Sequence, residues 1–163
     1  MTIRYCTKEW LQESYNMYGE TPRFREALKK VTTKVFFRIK AEPSWGIDDD
    51  FLFGANINEG ELLELCFYSE REAKQKADFI LSASPQVWKT ILQKEKKFVP
   101  EFLTGKVTLE HGSKAGLLLI TPYANHLADA LTQFEVQFPD EMTEEELEKY
   151  RADLNEFREK SGL

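Results

Sequence analysis

The stretch from Ala77 to Gly112 constrains the fold most, because it combines two predicted strands and two predicted helices in one short span. Residues 77–83 form an apolar run whose side chains alternate between the two faces of a strand. Ser84 and Pro85 then predict a helix start. A serine hydroxyl accepts a bond from a free amide there, and a proline at the first helical position has no amide to leave unpaired.

Both predicted helices are short and rich in bulky apolar residues. In the first, Ile91 and Leu92 follow Trp88 at helical spacing, so that one face is apolar. The second follows a lysine-rich segment, and its apolar residues are Phe98, Phe102 and Leu103. Gly105 stands where a left-handed residue would end this helix. Residues 107–110 then alternate as a half-buried strand.

This order of elements resembles a known family. The Pro-initiated helix with Trp88 and the sequence PEFLTGKVTLEHG at residues 100–112 are similar to the closing half of the sterol carrier protein domain. That family is also called SCP-2-like or non-specific lipid-transfer. The resemblance is closest over residues 78–120 and looser over residues 32–68. It implies an apolar cavity between a sheet and helices, with a helix at residues 117–120, although those residues alone fit a strand nearly as well.

Three further strands precede this stretch and predict an antiparallel meander. They span residues 33–42, 50–57 and 62–68. Asn58-Glu59-Gly60 joins the last two as a hairpin loop, and one face of the meander is strongly apolar and must be covered. The resemblance implies that the strands at Ala77 and Lys106 extend it. We therefore expect an α+β fold, with a mixed or antiparallel sheet of about five strands and helices covering one face.

The sequence also predicts the burial or the role of individual strand residues. Leu63, Leu65 and Phe67 should share the apolar face, because they alternate along one strand. Cys66 lies in the same apolar strand and is expected to be a small buried thiol. Gly54 in mid-strand indicates a bulge or a close backbone approach.

Helices are also predicted before and after the sheet. Two helices fill residues 7–31, and Thr7 caps the first of them. Pro122 should open another helix. Thr121 is disfavoured in the helical region by the proline behind it, so the preceding apolar run should end there.

The last helix has the clearest signals. Thr143 and Glu146 form a capping box ahead of an apolar stripe at helical spacing. Such a stripe packs either on its own domain or on a partner. We expect one domain over residues 1–163, with a core at 32–121 and a helical extension at 122–163 that departs from the family pattern.

Charge and composition limit the classes of partner and the cellular location that we expect. The chain has a net charge of −6 and no basic stripe, so we expect no nucleic-acid binding, and anionic membranes would repel the surface as a whole. No apolar run approaches the ~18 residues of a membrane span, so no stable membrane insertion is expected. Cys6 and Cys66 fit no metal spacing, and no secretory signal is visible. We expect a cytoplasmic protein, and a homodimer stays open.

The sequence contains few residues of the types that commonly catalyse reactions. His111 and His126 are the only histidines, and neither has a Ser, Cys or acidic neighbour in a triad pattern. The Asp48–Asp50 run lacks the alternating oxygen ligands of an EF-hand, so a solvated turn is expected there. The sequence therefore predicts no catalytic residue, no cofactor and no metal site.

These patterns favour the non-catalytic binding or transport of an apolar ligand, such as a fatty acid, acyl-CoA, phospholipid or sterol-like lipid. Two alternatives stay open: a regulatory module that docks through the C-terminal helix, and a lipid-modifying enzyme. The predicted cavity wall consists of apolar helix residues: Trp88, Ile91, Leu92, Phe98, Phe102, Leu103, Leu117, Leu118 and Ile120. The competing interpretation is that these side chains simply fill the core.

Overall fold

The computed structural model describes all residues from 1 to 163, and a five-stranded sheet lies at its centre. The strands are β1 (Thr2–Arg4), β2 (Thr33–Ile39), β3 (Phe51–Asn58), β4 (Glu61–Tyr68), β5 (Phe79–Ala83), β6 (Thr108–His111) and β7 (Glu135–Gln137). The central sheet has the order β4-β3-β2-β5-β6; β2 and β5 are parallel, and the other neighbours are antiparallel. The α+β class and the extension of the meander by the strands at Ala77 and Lys106 are confirmed.

Helices connect and cover the strands. They are α1 (Lys8–Glu20), α2 (Pro22–Ala27), α3 (Glu70–Lys76), α4 (Pro85–Leu92), α5 (Phe98–Leu103), α6 (Lys114–Ile120), α7 (Ala124–Ala130) and α8 (Glu144–Ser161). Short 3-10 turns occupy Pro43–Trp45, Thr121–Tyr123 and Pro139–Glu141. The caps at Thr7, Ser84 and Thr143 each accept the backbone N–H that the sequence predicts.

The main core lies between one face of the sheet and the helices. Strand β3 shows the predicted alternation, because Phe51, Phe53, Ala55 and Ile57 are all buried in this core. Leu52 points to the opposite face instead, where it joins a smaller apolar cluster. The period of two in the sequence therefore locates the core face of this strand correctly.

The smaller cluster lies under helix α3, a helix that was not predicted from the sequence. Phe36 and Ile80 pack there against the fully buried Ala73 of α3. The helix has a complete capping box, in which Ser69 accepts the N–H of Glu72. The signal was thus present at residues 69–72, but the helix is only two turns long and has little apolar periodicity.

Strand β4 departs from two expectations, one through a bulge and one through its alternation. Asn56 pairs with Glu64 and Ile57 with Leu62, so that Leu63 has no partner across the strands. Leu63 is consequently 44% exposed, while Leu65 and Phe67 pack on the core. Cys66, expected to be buried, is exposed, because it alternates away from those two residues on an edge strand.

Gly54 is a point of close approach, as expected. The ring of Phe36 on neighbouring strand β2 lies over it, and a Cβ built at this glycine would be 2.7 Å from the ring carbons. The β4 bulge is a separate feature, because it lies opposite a point two residues further along β3, between Asn56 and Ile57. The absence of a side chain at position 54 therefore provides the space that Phe36 fills.

Helix α8 packs on its own chain. Tyr150 and Leu154 are buried, and the Tyr150 hydroxyl donates to the carbonyl of Tyr5 at 2.6 Å. Two residues of the aspartate run, Asp49 and Asp50, are exposed as the predicted solvated turn requires, and Asp48 is the exception. Asp48 binds the side chains of Arg151 and Asn155, both on α8. The acidic loop therefore anchors the C-terminal helix.

Gly54→Ala should lower the free energy of unfolding by about 1–3 kcal/mol, because the added methyl group overlaps the Phe36 ring in a packed cluster. Gly19→Ala is the matched control. A Cβ at Gly19 meets nothing within 4 Å, so this helical site should gain about 0.5–1 kcal/mol. Urea denaturation of both variants measures the two effects. Equal stability of Gly54→Ala and wild type would show that Phe36 can move aside.

Candidate functional site

An apolar cavity lies between the inner face of the sheet and the helices that cover it. It is lined by 17 residues, of which 16 are hydrophobic. The sheet contributes its floor: Val35, Phe37, Phe53 and Leu81. The helices and the N-terminal segment contribute its walls: Tyr5, Trp10, Trp88, Ile91, Leu92, Phe98, Leu117, Ile120, Thr121, Ala124, Leu127, Ala128 and Leu131.

Helix α4 forms one wall, and local bonds fix its position. Its N-terminus is set by Ser84, whose hydroxyl accepts the N–H of Val87 at 3.2 Å, with Pro85 at the first helical position. The indole N–H of Trp88 donates to the carbonyl of Arg38 at 2.8 Å. This bond ties the helix to strand β2 and satisfies the only polar atom of the ring. Trp88 therefore presents an apolar surface to the cavity.

Helix α6 forms the opposite wall, which confirms the helical interpretation of residues 117–120. Ser113 caps it by accepting the N–H of Gly116 at 3.0 Å, and Leu117 is buried at the cavity. Helix α6 ends at Ile120, as predicted, with Thr121 as its C-cap, but Thr121 does not leave the helical region as its place before proline predicts. Thr121 is helical, with φ −59° and ψ −31°, and a 3-10 turn runs through Pro122 into α7. The Thr121 hydroxyl donates to the carbonyl of Leu118 at 2.9 Å, and this added bond offsets the steric preference of a residue before proline.

The N-terminal segment closes one end of the cavity, and little in the sequence indicates this. Trp10 lies within the first predicted helix, whereas Tyr5 lies outside every predicted element. The indole N–H of Trp10 donates to the carbonyl of Leu131 at 2.9 Å. Tyr5 packs its ring against Trp10, with centroids 4.9 Å apart. The strand pairing of β1 with β7 holds this segment in place, and such short, distant pairings leave no local pattern.

The nine predicted wall residues separate into two groups. Six of them do line the cavity: Trp88, Ile91, Leu92, Phe98, Leu117 and Ile120. Their contact with a ligand stays a prediction. Phe102, Leu103 and Leu118 do not line it. The Phe102 ring is stacked on that of Phe98 at 6.0 Å, while Leu103 is 64% and Leu118 43% exposed. Leu103 and Leu118 lie on helix faces that point away from the cavity, whereas Phe102 shares the face of Phe98 one turn further on, beyond the edge of the cavity.

The cavity is small. Its volume is about 70 Å³, whereas pockets that enclose drug-sized ligands measure roughly 300–1,000 Å³. Each ordered water needs roughly 10–15 Å³ on such a scale. The space therefore holds a few water-sized groups, and a long acyl chain fits only if part of the wall moves outward.

The cavity wall offers no charged group. Tyr5 is its only titratable side chain, and burial raises the pKa of this phenol well above its ordinary value. The phenol is therefore neutral at physiological pH. No group of three or more His, Cys, Asp or Glu side chains in the protein is arranged to hold a metal ion. No helix has both the length and the apolar character required to cross a bilayer.

Comparison with solved structures identifies the architecture. A conserved hypothetical protein from Thermus thermophilus, suggested to be a sterol carrier protein, superposes with a TM-score of 0.70 at 17% identity over 83% of this chain and 92% of its own. A crystal structure of sterol carrier protein 2 gives 0.61 at 18% identity, over 77% and 92%. The chain has the sterol carrier protein 2 fold. Sterol carrier protein 2 from Yarrowia lipolytica gives 0.55 at 12% identity, over 77% and 89%.

This likeness is one of structure. No protein-family model matches the sequence, and no curated protein matches it either. The three similar structures cover 77% or more of this chain, whereas the resemblance in sequence is confined to residues 32–68 and 78–120. The SCP-2-like fold expected from the residues around Trp88 and Gly105 is therefore confirmed.

Phe98→Ala should enlarge the cavity and lower the free energy of unfolding by about 3–5 kcal/mol, because it removes a buried wall ring. Phe102→Ala is the control. It removes the same ring from a half-buried position outside the cavity and should cost less than half as much. Chemical denaturation gives both values. Benzene should bind the Phe98 variant and not the Phe102 variant, as detected by NMR shifts of methyl groups on Leu117 and Leu127. Equal behaviour of the two variants would contradict the wall assignment.

Proposed function

We propose that the protein binds an apolar ligand of the lipid class non-catalytically in the cavity between its sheet and helices. The observation that carries this proposal is the wall itself, in which 16 of 17 residues are hydrophobic. The shared fold supports it, since two of the similar structures are named sterol carrier protein 2. A fatty acid, acyl-CoA, phospholipid or sterol-like lipid meets the requirement for a large apolar body.

Binding is mainly hydrophobic. Each buried methylene group contributes about 0.8 kcal/mol, so a chain of about a dozen carbons outweighs any single polar contact. The ligand's polar end stays at the cavity mouth. Thr121 is the one wall residue that is not hydrophobic, and its hydroxyl proton is already donated to Leu118. Burying an unpaired head group would cost several kcal/mol.

The wall must open to admit such a ligand. Helix α6 is the element best suited to move, because Leu117 is its only buried residue. It follows the edge strand β6, and a 3-10 turn joins it to α7. Outward movement of α6 and the turn at Thr121–Tyr123 would widen the cavity and leave the sheet intact.

The two alternatives have less support. Docking through the C-terminal helix requires a free apolar stripe, but Tyr150 and Leu154 of α8 are already buried on their own domain. A lipid-modifying enzyme requires reacting groups near the bound ligand. The wall presents Tyr5 as a neutral phenol and no acid, histidine or lysine. Non-catalytic binding is therefore the function that we propose.

Affinity should rise with the length of the acyl chain and then level off when the widened cavity is full. The slope should be about four-fold per methylene, which corresponds to about 0.8 kcal/mol. Isothermal titration with a series of saturated fatty acids measures it, and native mass spectrometry of the purified protein detects any lipid adduct. Affinity that does not change with chain length would contradict the proposal.

Ala124→Leu should weaken binding of a fluorescent fatty acid at least ten-fold, because about three added carbons occupy the limited space inside the cavity. Ala152→Leu is the matched control, since Ala152 is exposed on α8. It adds the same atoms far from the wall and should leave binding unchanged. Fluorescence titration gives both affinities, and thermal melting verifies the fold. Similar affinities of the two variants would place the ligand elsewhere.

A further inference from the structure

One ion pair joins two helices of the cavity wall. Lys94, which follows the end of α4, binds the carboxylate of Asp129 on α7. Both helices line the cavity with three residues each: Trp88, Ile91, Leu92, Ala124, Leu127 and Ala128. No other salt bridge of the protein connects two of the helices α4 to α7. The pair is therefore the one ionic link between separate wall helices.

The pair lies beside the line of contact between α4 and α7, which we call the seam. Ile91 and Leu127 line the cavity from the two sides of the seam, and both are partly exposed. The N–H of Lys94 donates to the carbonyl of Ile91 at 3.0 Å, and Asp129 is two residues after Leu127. The Lys94 side chain is 50% and that of Asp129 30% exposed. The charged groups thus meet on the solvent side of the seam.

The backbone of Lys94 is left-handed, with φ 60°. Glycine normally occupies such a position after a helix, because a Cβ there crowds the backbone. The following amides close the end of α4, since Glu95 and Lys96 both donate to the carbonyl of Thr90. A glycine would serve this backbone better. What lysine adds at the position is an ammonium group that reaches Asp129.

We propose that the Lys94–Asp129 pair is a latch that holds the seam closed, and that its breaking limits how fast a ligand enters and leaves the cavity. Helix α7 directly follows the turn at Thr121–Tyr123, so outward movement of α6 and this turn also pulls α7 away from α4. The latch opposes that movement until the ion pair breaks. The closure of the seam stands on the position of the pair; its effect on ligand exchange rests on the proposed function.

Stopped-flow mixing with a neutral fluorescent fatty alcohol tests the effect on exchange. The probe is uncharged because a carboxylate would itself pair with Lys94. Lys94→Gln and Asp129→Asn should each accelerate both entry and release about two-fold to five-fold, the range expected for loss of a solvent-accessible ion pair. Affinity should stay within about two-fold, because the seam closes over the empty and the filled cavity alike. High salt should accelerate exchange in wild type and not in these variants.

Two further variants separate a latch from a general loss of stability. Lys94→Gln combined with Asp129→Asn should exchange no faster than either single variant, because each substitution alone already removes the pair. Lys94→Gly removes the pair and also relieves the left-handed conformation. It should therefore accelerate exchange without lowering the midpoint of thermal unfolding. Additive acceleration in the double variant would overturn the proposal.

Lys29→Gln is the matched control. Lys29 also follows the end of a short helix, α2, and it forms a salt bridge with Glu26 of that helix. Neither residue lines the cavity, so the loss of this pair should leave probe exchange unchanged. Acceleration by Lys29→Gln equal to that by Lys94→Gln would show that exchange responds to any lost surface pair, and it would contradict the latch.

Amide hydrogen exchange without ligand separates the latch from the proposed function. The amides of α7 should exchange about two-fold to five-fold faster in Lys94→Gly than in wild type, whereas those of strand β3 should not change. Faster α7 exchange in a protein that does not bind the probe would leave the latch intact and contradict the proposed function. Probe binding with unchanged entry, release and amide exchange in the latch variants would overturn the latch and leave the proposed function intact.

Discussion

The structure depends on one requirement: the apolar inner face of the sheet must be covered. Phe51, Phe53 and Ile57 of β3 point to that face, and their exposure would forfeit about 2 kcal/mol or more each. The cover consists of several short helices and not one long one. Short helices meet a twisted sheet at separate angles, and the space that they leave between them is the cavity.

Bonds that hold this cover in place also keep the cavity apolar. The indole N–H groups of Trp10 and Trp88 donate to the carbonyls of Leu131 and Arg38, and the Ser84 cap fixes the start of α4. Each of these polar atoms is thus paired with a backbone group. Large aromatic surfaces remain toward the interior, where an apolar ligand would contact them without displacing a protein hydrogen bond.

The sequence predicted features that depend on neighbouring residues, and it missed those that depend on distant ones. The alternation of β3 and the caps at Thr7 and Thr143 follow from local rules. The aspartate loop depends on the approach of Arg151 more than a hundred residues later, and no local pattern contains that contact. The bulge at Leu63 is local, since Ile57 and Leu62 flank the same hairpin, but alternation alone does not show the shift in their register.

The candidate site divides in the same way. Helical spacing identified Trp88, Ile91 and Leu92 as one face, and the structure places all three at the cavity. Spacing did not separate Phe98 from Phe102, because a helix of six residues can turn either ring inward and only packing on the sheet decides. Tyr5 could not be found at all, since its position comes from the pairing of β1 with β7.

The hydrophobic effect that would drive an apolar ligand into the cavity also favours a small volume when no ligand is bound. An open apolar space without a ligand either holds water against hydrocarbon or stays empty, and both cost free energy. Walls made of short helices can close inward and recover part of that loss. A bound chain would reverse the closure by offering its own apolar surface at about 25 cal/mol per Å². Helix α6 is the part of the wall at which we expect this movement, because Leu117 is buried at the cavity while Leu119 on the same helix is exposed.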